Sequence, residues 1–204
     1  MTFSFQKISF GYQGNTLFEN VGYCLDEGGL LTIKGANGSG KTTLLKILTG
    51  LIVPEDGFIF YGDMEISEDY RSYFRNMQYL GHRNAVDPEL TVKENLQLWA
   101  GMAKNAAALE PVFQFFKLEE VLNKQCKYLS AGWNRRVALA RLMVKRVNLW
   151  ILDEPFANLD EEIIEMTLKM IATFCDQRGK VIMSCHKEVD IPFGANLYIE
   201  DFRN

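Results

Sequence analysis

The 204-residue sequence has no apolar run approaching the about 18 or more residues of a membrane-spanning helix. A membrane location would therefore depend on another chain. Histidine is scarce, with only His82 and His186, and the four cysteines (Cys24, Cys126, Cys175 and Cys185) form no C-x-x-C pair. That spacing excludes a zinc ribbon or a disulfide framework and points to reduced thiols. Basic charge is not in excess: 22 Lys and Arg against 26 Asp and Glu leave a net charge of −4. Without a basic surface, no nucleic-acid partner is expected. Met1 to Lys7 lack the charged start and long apolar core of a signal peptide, so a cytosolic protein is expected. No internal repeat, low-complexity tract or linker interrupts the chain, and its length suits one α/β domain with a small insertion.

What the chain does have is Gly35-Ala36-Asn37-Gly38-Ser39-Gly40-Lys41-Thr42, followed by Thr43. This is G-x-x-x-x-G-K-[ST], a loop that wraps nucleotide phosphates. The glycines let the backbone turn tightly, so that several N–H groups point at one anion. The helix starting near Lys41 adds its positive end. Lys41 supplies a mobile charge for the β- and γ-phosphates, and Thr42 a hydroxyl for Mg²⁺. The flanks suit this reading. Leu30 to Ile33 reads as a strand before the loop, and Leu44, Leu45, Ile47, Leu48 and Leu51 form one apolar helix face after it. The competing reading is a glycine-rich turn with no ligand.

Residues 2 to 33 are β-rich runs broken by Gly11, Gly14, Gly28 and Gly29, and read as short strands and turns. Phe58 to Gly62 reads as a strand, residues 67 to 76 as a short helix, and Met77 to Leu80 as a short buried strand. From Thr91 to Lys127 the pattern is helical, and Thr91 with Glu94 forms a capping-box signature. Strands return at Asn148 to Leu152 and Lys180 to Cys185, with a helix between them from Glu161 to Gln177. The order predicts an α/β fold: a mainly parallel core sheet after a β-rich start, with a helical insertion at about residues 84 to 135.

A phosphate loop gives a nucleotide, not a reaction. The discriminating segment is Leu149 to Pro155, an apolar strand ending in Asp153 and Glu154. Acids at the C-terminal end of a buried parallel strand emerge at the ligand crevice. Asp153 is placed to hold Mg²⁺, through water, and Glu154 to polarise an attacking water. Otherwise the two acids simply end a strand and cap the next helix. Just upstream, Ser130, Ala131 and Gly132 open an amphipathic helix whose free N–H groups and Ser130 hydroxyl form another anion site. A second cradle suggests that two chains share each nucleotide.

These segments together resemble the ATPase domain of ABC transporters over essentially the whole chain. Gly35 to Thr42 resembles Walker A, Ile151 to Glu154 Walker B with its catalytic glutamate, and Leu129 to Trp133 the LSGGQ signature. Ala157 to Asp160 resembles the D-loop, His186 the switch histidine, and Tyr12 the aromatic that stacks on adenine. The resemblance implies a P-loop NTPase with an N-terminal antiparallel β subdomain and an inserted helical subdomain. It also implies a head-to-tail homodimer of ATPase subunits, with Ser130 and Gly132 completing the γ-phosphate site of the other copy. Each residue has a blander reading: His186 as a core or surface histidine, Tyr12 as a strand aromatic, His82 as a structural or surface residue.

The chain departs from the family pattern in places. Arg83 stands where a metal-ligating glutamine is usual, and arginine has no acceptor. Trp133 replaces the last glutamine of the signature and Ala131 its first glycine. Leu129 to Gly132 with Arg135 to Leu142, then Leu149 to Phe156, and the Gly81-His82 pair, narrow the resemblance to haem-exporter ATP-binding subunits of bacterial cytochrome c maturation. That implies an integral membrane permease subunit as partner and a peripheral place on the cytoplasmic face of the inner membrane. With no C-x-x-C-H and two histidines, direct haem binding is not expected. The alternatives are a transporter ATPase for lipoprotein, lipid or metal, a soluble ABC ATPase, and a P-loop kinase or GTPase. The last lacks support because Asn123 to Cys126 has no Asp to read a guanine base.

Overall fold

The computed structural model describes every residue except 186–188, 190 and 204. Two long strands open the chain, β1 (Phe3–Tyr12) and β2 (Asn15–Leu25). They pair antiparallel from Phe3 opposite Leu25 to Tyr12 opposite Asn15. Gln13 and Gly14 make the turn with φ of 51° and 81°, as a two-residue hairpin loop requires. This corrects the expectation of short strands: Gly11 lies inside β1, paired with Thr16, and the chain turns at Gly14 and again at Gly28.

The strand β3 (Leu30–Lys34) leads into the glycine loop and helix α1 (Lys41–Leu48). Next come β4 (Asp56–Tyr61), β5 (Met64–Glu65), α2 (Tyr70–Asn76) and β6 (Met77–Leu80). The helices α3 (Val92–Ala103), α4 (Leu109–Phe115) and α5 (Ala131–Val144) come after these. The chain continues through β7 (Leu149–Leu152), α6 (Glu161–Asp176), β8 (Lys180–Ser184) and β9 (Ala195–Tyr198), and a short 3-10 turn closes it at Ile199–Phe202. Among the described residues, the strands form an antiparallel sheet ordered β2-β1-β4-β5 and a second sheet ordered β6-β7-β8-β3-β9. In the second, β3 pairs parallel with β8 and β9, and β7 with β8.

The chain divides into two compact units. The first comprises Met1–Tyr79, Val147–Glu154 and Ile171–Asn204, and the second Leu80–Arg146 and Pro155–Met170. In the first, Leu44, Leu45, Ile47 and Leu48 of α1 are fully buried against Phe3, Phe18, Ile33, Ile151 and Ile182. Each such side chain contributes about 1.5–3 kcal/mol through burial, and Leu44→Ala would cost about 2–5 kcal/mol through the cavity left behind. Leu51 does not join this face. Thr49 caps α1, Gly50 turns at φ 76°, and Leu51 beyond them is exposed.

The second unit is built on α3, α4 and α5. Thr91 and Glu94 form the predicted capping box: Thr91 Oγ1 accepts from the Glu94 N–H, and a Glu94 oxygen accepts from the Thr91 N–H at 2.8 Å. The buried Asn95 amide donates to the Asp87 and Thr91 carbonyls, tying the entering loop to α3. Arg141 packs over the Trp99 ring at 4.5 Å, and its burial lowers its pKa to about 10.

Candidate active site

Parallel strands β3, β7 and β8 present their C-terminal ends side by side, the edge at which open α/β sheets bind ligands. From β3 comes the glycine loop. At Gly40, φ is 105°, a backbone angle that favours glycine, and an added Cβ would press on the Leu17 side chain at 2.9 Å. Lys41 is buried, and its Nζ donates to the Gly35 and Ala36 carbonyls at 2.7 and 2.9 Å. The Ser39 hydroxyl is buried with no hydrogen-bond partner among the described residues, which a phosphate oxygen would satisfy.

From β7 come the acids. Thr42 Oγ1 lies 3.1 and 3.0 Å from the two Asp153 oxygens. A hydroxyl and a nearly fully buried carboxylate are hard oxygen donors, the set Mg²⁺ prefers, so these residues fit that ion. From β8 comes Ser184, whose hydroxyl donates to Asp153 Oδ1 at 2.7 Å and accepts the Glu154 N–H at 2.9 Å. Glu154 itself turns out of the strand with φ of 48°, a region where a non-glycine residue is unusual. Asp153 and Glu154 thus stand at the strand end with Thr42, as the sequence pattern predicts.

The C-terminus adds a contact that sequence reasoning missed. Glu200, in the turn after β9, accepts the Ala36 N–H at 2.5 Å, and that bond holds its carboxyl below the usual range. Arg203 donates to the Gly38 carbonyl at 3.2 Å. No motif signals this, because the contact exists only once β9 pairs with β3. Tyr12 is exposed at the end of the β1–β2 hairpin, edge-on to Phe10 at 5.0 Å. His186 lies outside the described residues.

In the second unit, Ser130 caps α5, its hydroxyl accepting the Trp133 N–H at 3.3 Å. A Cβ on Gly132 would lie 2.7 Å from the Asn158 carbonyl, so the residue must be glycine for the segment before Asp160 to approach. Ala131 is exposed. Asp160 accepts the Ile163 N–H at 2.9 Å at the start of α6, and Arg136 bonds its other oxygen at 2.7 Å. The Ile163 N–H, and after it Arg136, keep the Asp160 carboxyl below its usual range. Arg136 also stacks on Trp133 at 4.4 Å. Buried Arg135, quoted in the sequence only as part of the Arg135 to Leu142 segment and given no role there, donates to the Gly81 and Pro155 carbonyls and to Asn84 Oδ1 at 3.0, 3.3 and 2.9 Å. His82 and Arg83 are exposed in the loop it anchors.

Residues 18–157 match the family model for ABC transporters. The cytochrome c biogenesis ATP-binding export protein CcmA of Wolbachia pipientis wMel is 38% identical over 91% of this chain and 89% of its own. The protein of the same name from Albidiferax ferrireducens is 38% identical over 93% of this chain and 92% of its own.

The chain belongs to the CcmA family of ABC transporter ATPases.

As a member of that family it is an ATP-binding, ATP-hydrolysing transporter subunit. Solved structures agree on the fold. The ATP-binding subunit of an ABC transporter superposes with a TM-score of 0.82 at 26% identity, covering 91% of this chain and 80% of the other. The cassette MJ0796, solved as a dimer in a post-hydrolysis state with ADP and Pi, gives a TM-score of 0.85 at 21% identity over 98% and 95%. Among the described residues, no helix of this CcmA-family chain is long and apolar enough to cross a membrane.

Proposed function

We propose that this chain hydrolyses ATP to drive haem export, or release of a haem-loaded chaperone, during cytochrome c biogenesis. The observation that carries the reading is 38% identity to CcmA proteins along nearly their whole length, joined to an unbroken phosphate loop and acid pair. In this account the chain acts as one ATPase domain. Two copies form a dimer beside an integral membrane permease subunit on the cytoplasmic face of the inner membrane. The ATPase itself does not bind haem.

ATP lies along Gly35 to Thr43, with Tyr12 against the adenine. Lys41 exchanges its two loop carbonyls for β- and γ-phosphate oxygens. Thr42 and Asp153 would hold Mg²⁺, which would neutralise charge on the bound triphosphate. Glu154 takes the proton of a water whose oxygen attacks the γ-phosphorus, while the bond to the β–γ bridging oxygen breaks and ADP leaves. His186 stabilises the charge that develops. Ser130 and Gly132 of a second copy, with Ala131 between them, close over the γ-phosphate, and Asp160 sets the D-loop beside them.

The test is deletion of the gene in its host, followed by haem-dependent peroxidase staining of c-type cytochromes. The reading predicts loss of covalently bound haem, restored by the wild-type gene and not by Lys41→Ala. Normal cytochrome c in the deletion strain overturns it and leaves a transporter ATPase of another cargo.

A further inference from the structure

Ser184 ends β8 fully buried, and no motif assigns it a role. The strand register explains its position. Leu152 pairs with Met183 and Ile33 with Ser184, so the next step along β7 sets Asp153 beside Ser184, between the two strands that carry the phosphate loop and the acids. Its hydroxyl is used in both directions: it donates to Asp153 Oδ1 at 2.7 Å and accepts the Glu154 N–H at 2.9 Å.

The two bonds act on different parts of the acid pair. The first fixes the rotation of the Asp153 carboxylate, which also faces Thr42 Oγ1 at 3.0 Å. The second fixes the peptide leading into Glu154, whose φ of 48° departs from the strand. Such a conformation is strained for a residue with a side chain and persists only where the surroundings hold it.

We infer that Ser184 is a positioning residue for ATP hydrolysis, one hydroxyl that aims the metal-holding carboxylate and the backbone of the general base together. The inference rests on the proposed roles of Asp153 and Glu154. Ser184 acts through the acid pair, by its bonds to Asp153 Oδ1 and the Glu154 N–H.

The test compares the full-length wild type with Ser184→Ala, Ser184→Thr and Glu154→Gln. It measures kcat and KM for ATP, nucleotide affinity without metal, and Mn²⁺ binding to the ADP-loaded protein by electron paramagnetic resonance. Loss of a buried hydrogen bond to a charged group lowers kcat of Ser184→Ala about tenfold or more and weakens Mn²⁺ binding severalfold. Metal-free nucleotide affinity stays at the wild-type level, and Ser184→Thr, which keeps the hydroxyl, recovers both losses. A folded Ser184→Ala with wild-type kcat and Mn²⁺ affinity overturns the inference. So does a loss of kcat that tracks metal-free affinity with Mn²⁺ binding unchanged. Should the alanine variant not fold, Ser184→Cys, a weaker donor and acceptor, takes its place: reduced kcat and Mn²⁺ binding support the inference, and wild-type values for both overturn it. If Glu154→Gln hydrolyses ATP like wild type, the fault lies in the underlying assignment of the base, a result separate from the Ser184 readouts.

Discussion

Thr42 Oγ1 stands 3.0 Å from Asp153 Oδ2, although 111 positions separate the two residues in sequence. The contact arises from topology. Strands β3 and β7 flank β8 in parallel, so the loop after β3 and the acids at the end of β7 emerge at the same edge. Thr42→Ala removes a hard ligand and leaves the carboxylate. We expect kcat to fall about tenfold and the Mg²⁺ concentration for half-maximal activity to rise. An ATPase titration against Mg²⁺ checks this, and a curve superimposable on wild type contradicts it.

Glu154→Gln keeps the size of the side chain and removes its ability to take a proton. ATP binding should remain near wild type while turnover falls by about 10²- to 10⁴-fold, the usual contribution of a positioned base. Filter-binding of labelled ATP beside a phosphate-release assay separates the two. Wild-type turnover in the variant would remove Glu154 from its role.

Asp160 caps α6 through the Ile163 N–H, so Asp160→Ala should cost about 1 kcal/mol of stability. In the folded chain this carboxyl is held below its ordinary value of 3.8, first by the Ile163 N–H and then by Arg136. A depressed folded pKa gives stability that is present in full above the unfolded value and is lost as pH falls through the folded one. The melting temperatures of variant and wild type should therefore differ at neutral pH and converge below pH 3.8. An unchanged gap in acid would mean that the carboxylate is not responsible.

Glu200 holds the Ala36 N–H at the entry to the phosphate loop. Glu200→Ala should loosen that entry and weaken ATP binding about threefold, the scale of one exposed hydrogen bond, with kcat at saturating ATP unchanged. Glu200→Gln still offers an oxygen and should bind like wild type. Equal affinity in the alanine variant, read by titration with a fluorescent nucleotide, would show that the contact does not support the loop.

The part of this site that depends on local chemistry alone was legible in the sequence. An apolar run ending in glycines and Lys41, and another ending in Asp153 and Glu154, fix strand, turn and crevice without knowledge of the rest. The Thr91–Glu94 box was legible for the same reason, since both partners lie within one turn. Ser184, Arg135 and Glu200 were not, because each acts through a partner brought near only by the fold. Strand β9 was missed because Leu197 alone is buried among its four residues, and its place is set by pairing with β3. Leu51 was misplaced because helical spacing continued past Gly50, where the backbone does not.

The central claim, that this ATPase serves a membrane export system for cytochrome c biogenesis, is tested most directly by purifying the Glu154→Gln chain from its native membrane with ATP and Mg²⁺. Mass spectrometry of the captured proteins reads the result. The account predicts an integral membrane subunit of the cytochrome c maturation system. Recovery of an unrelated permease, or of soluble partners only, would contradict it.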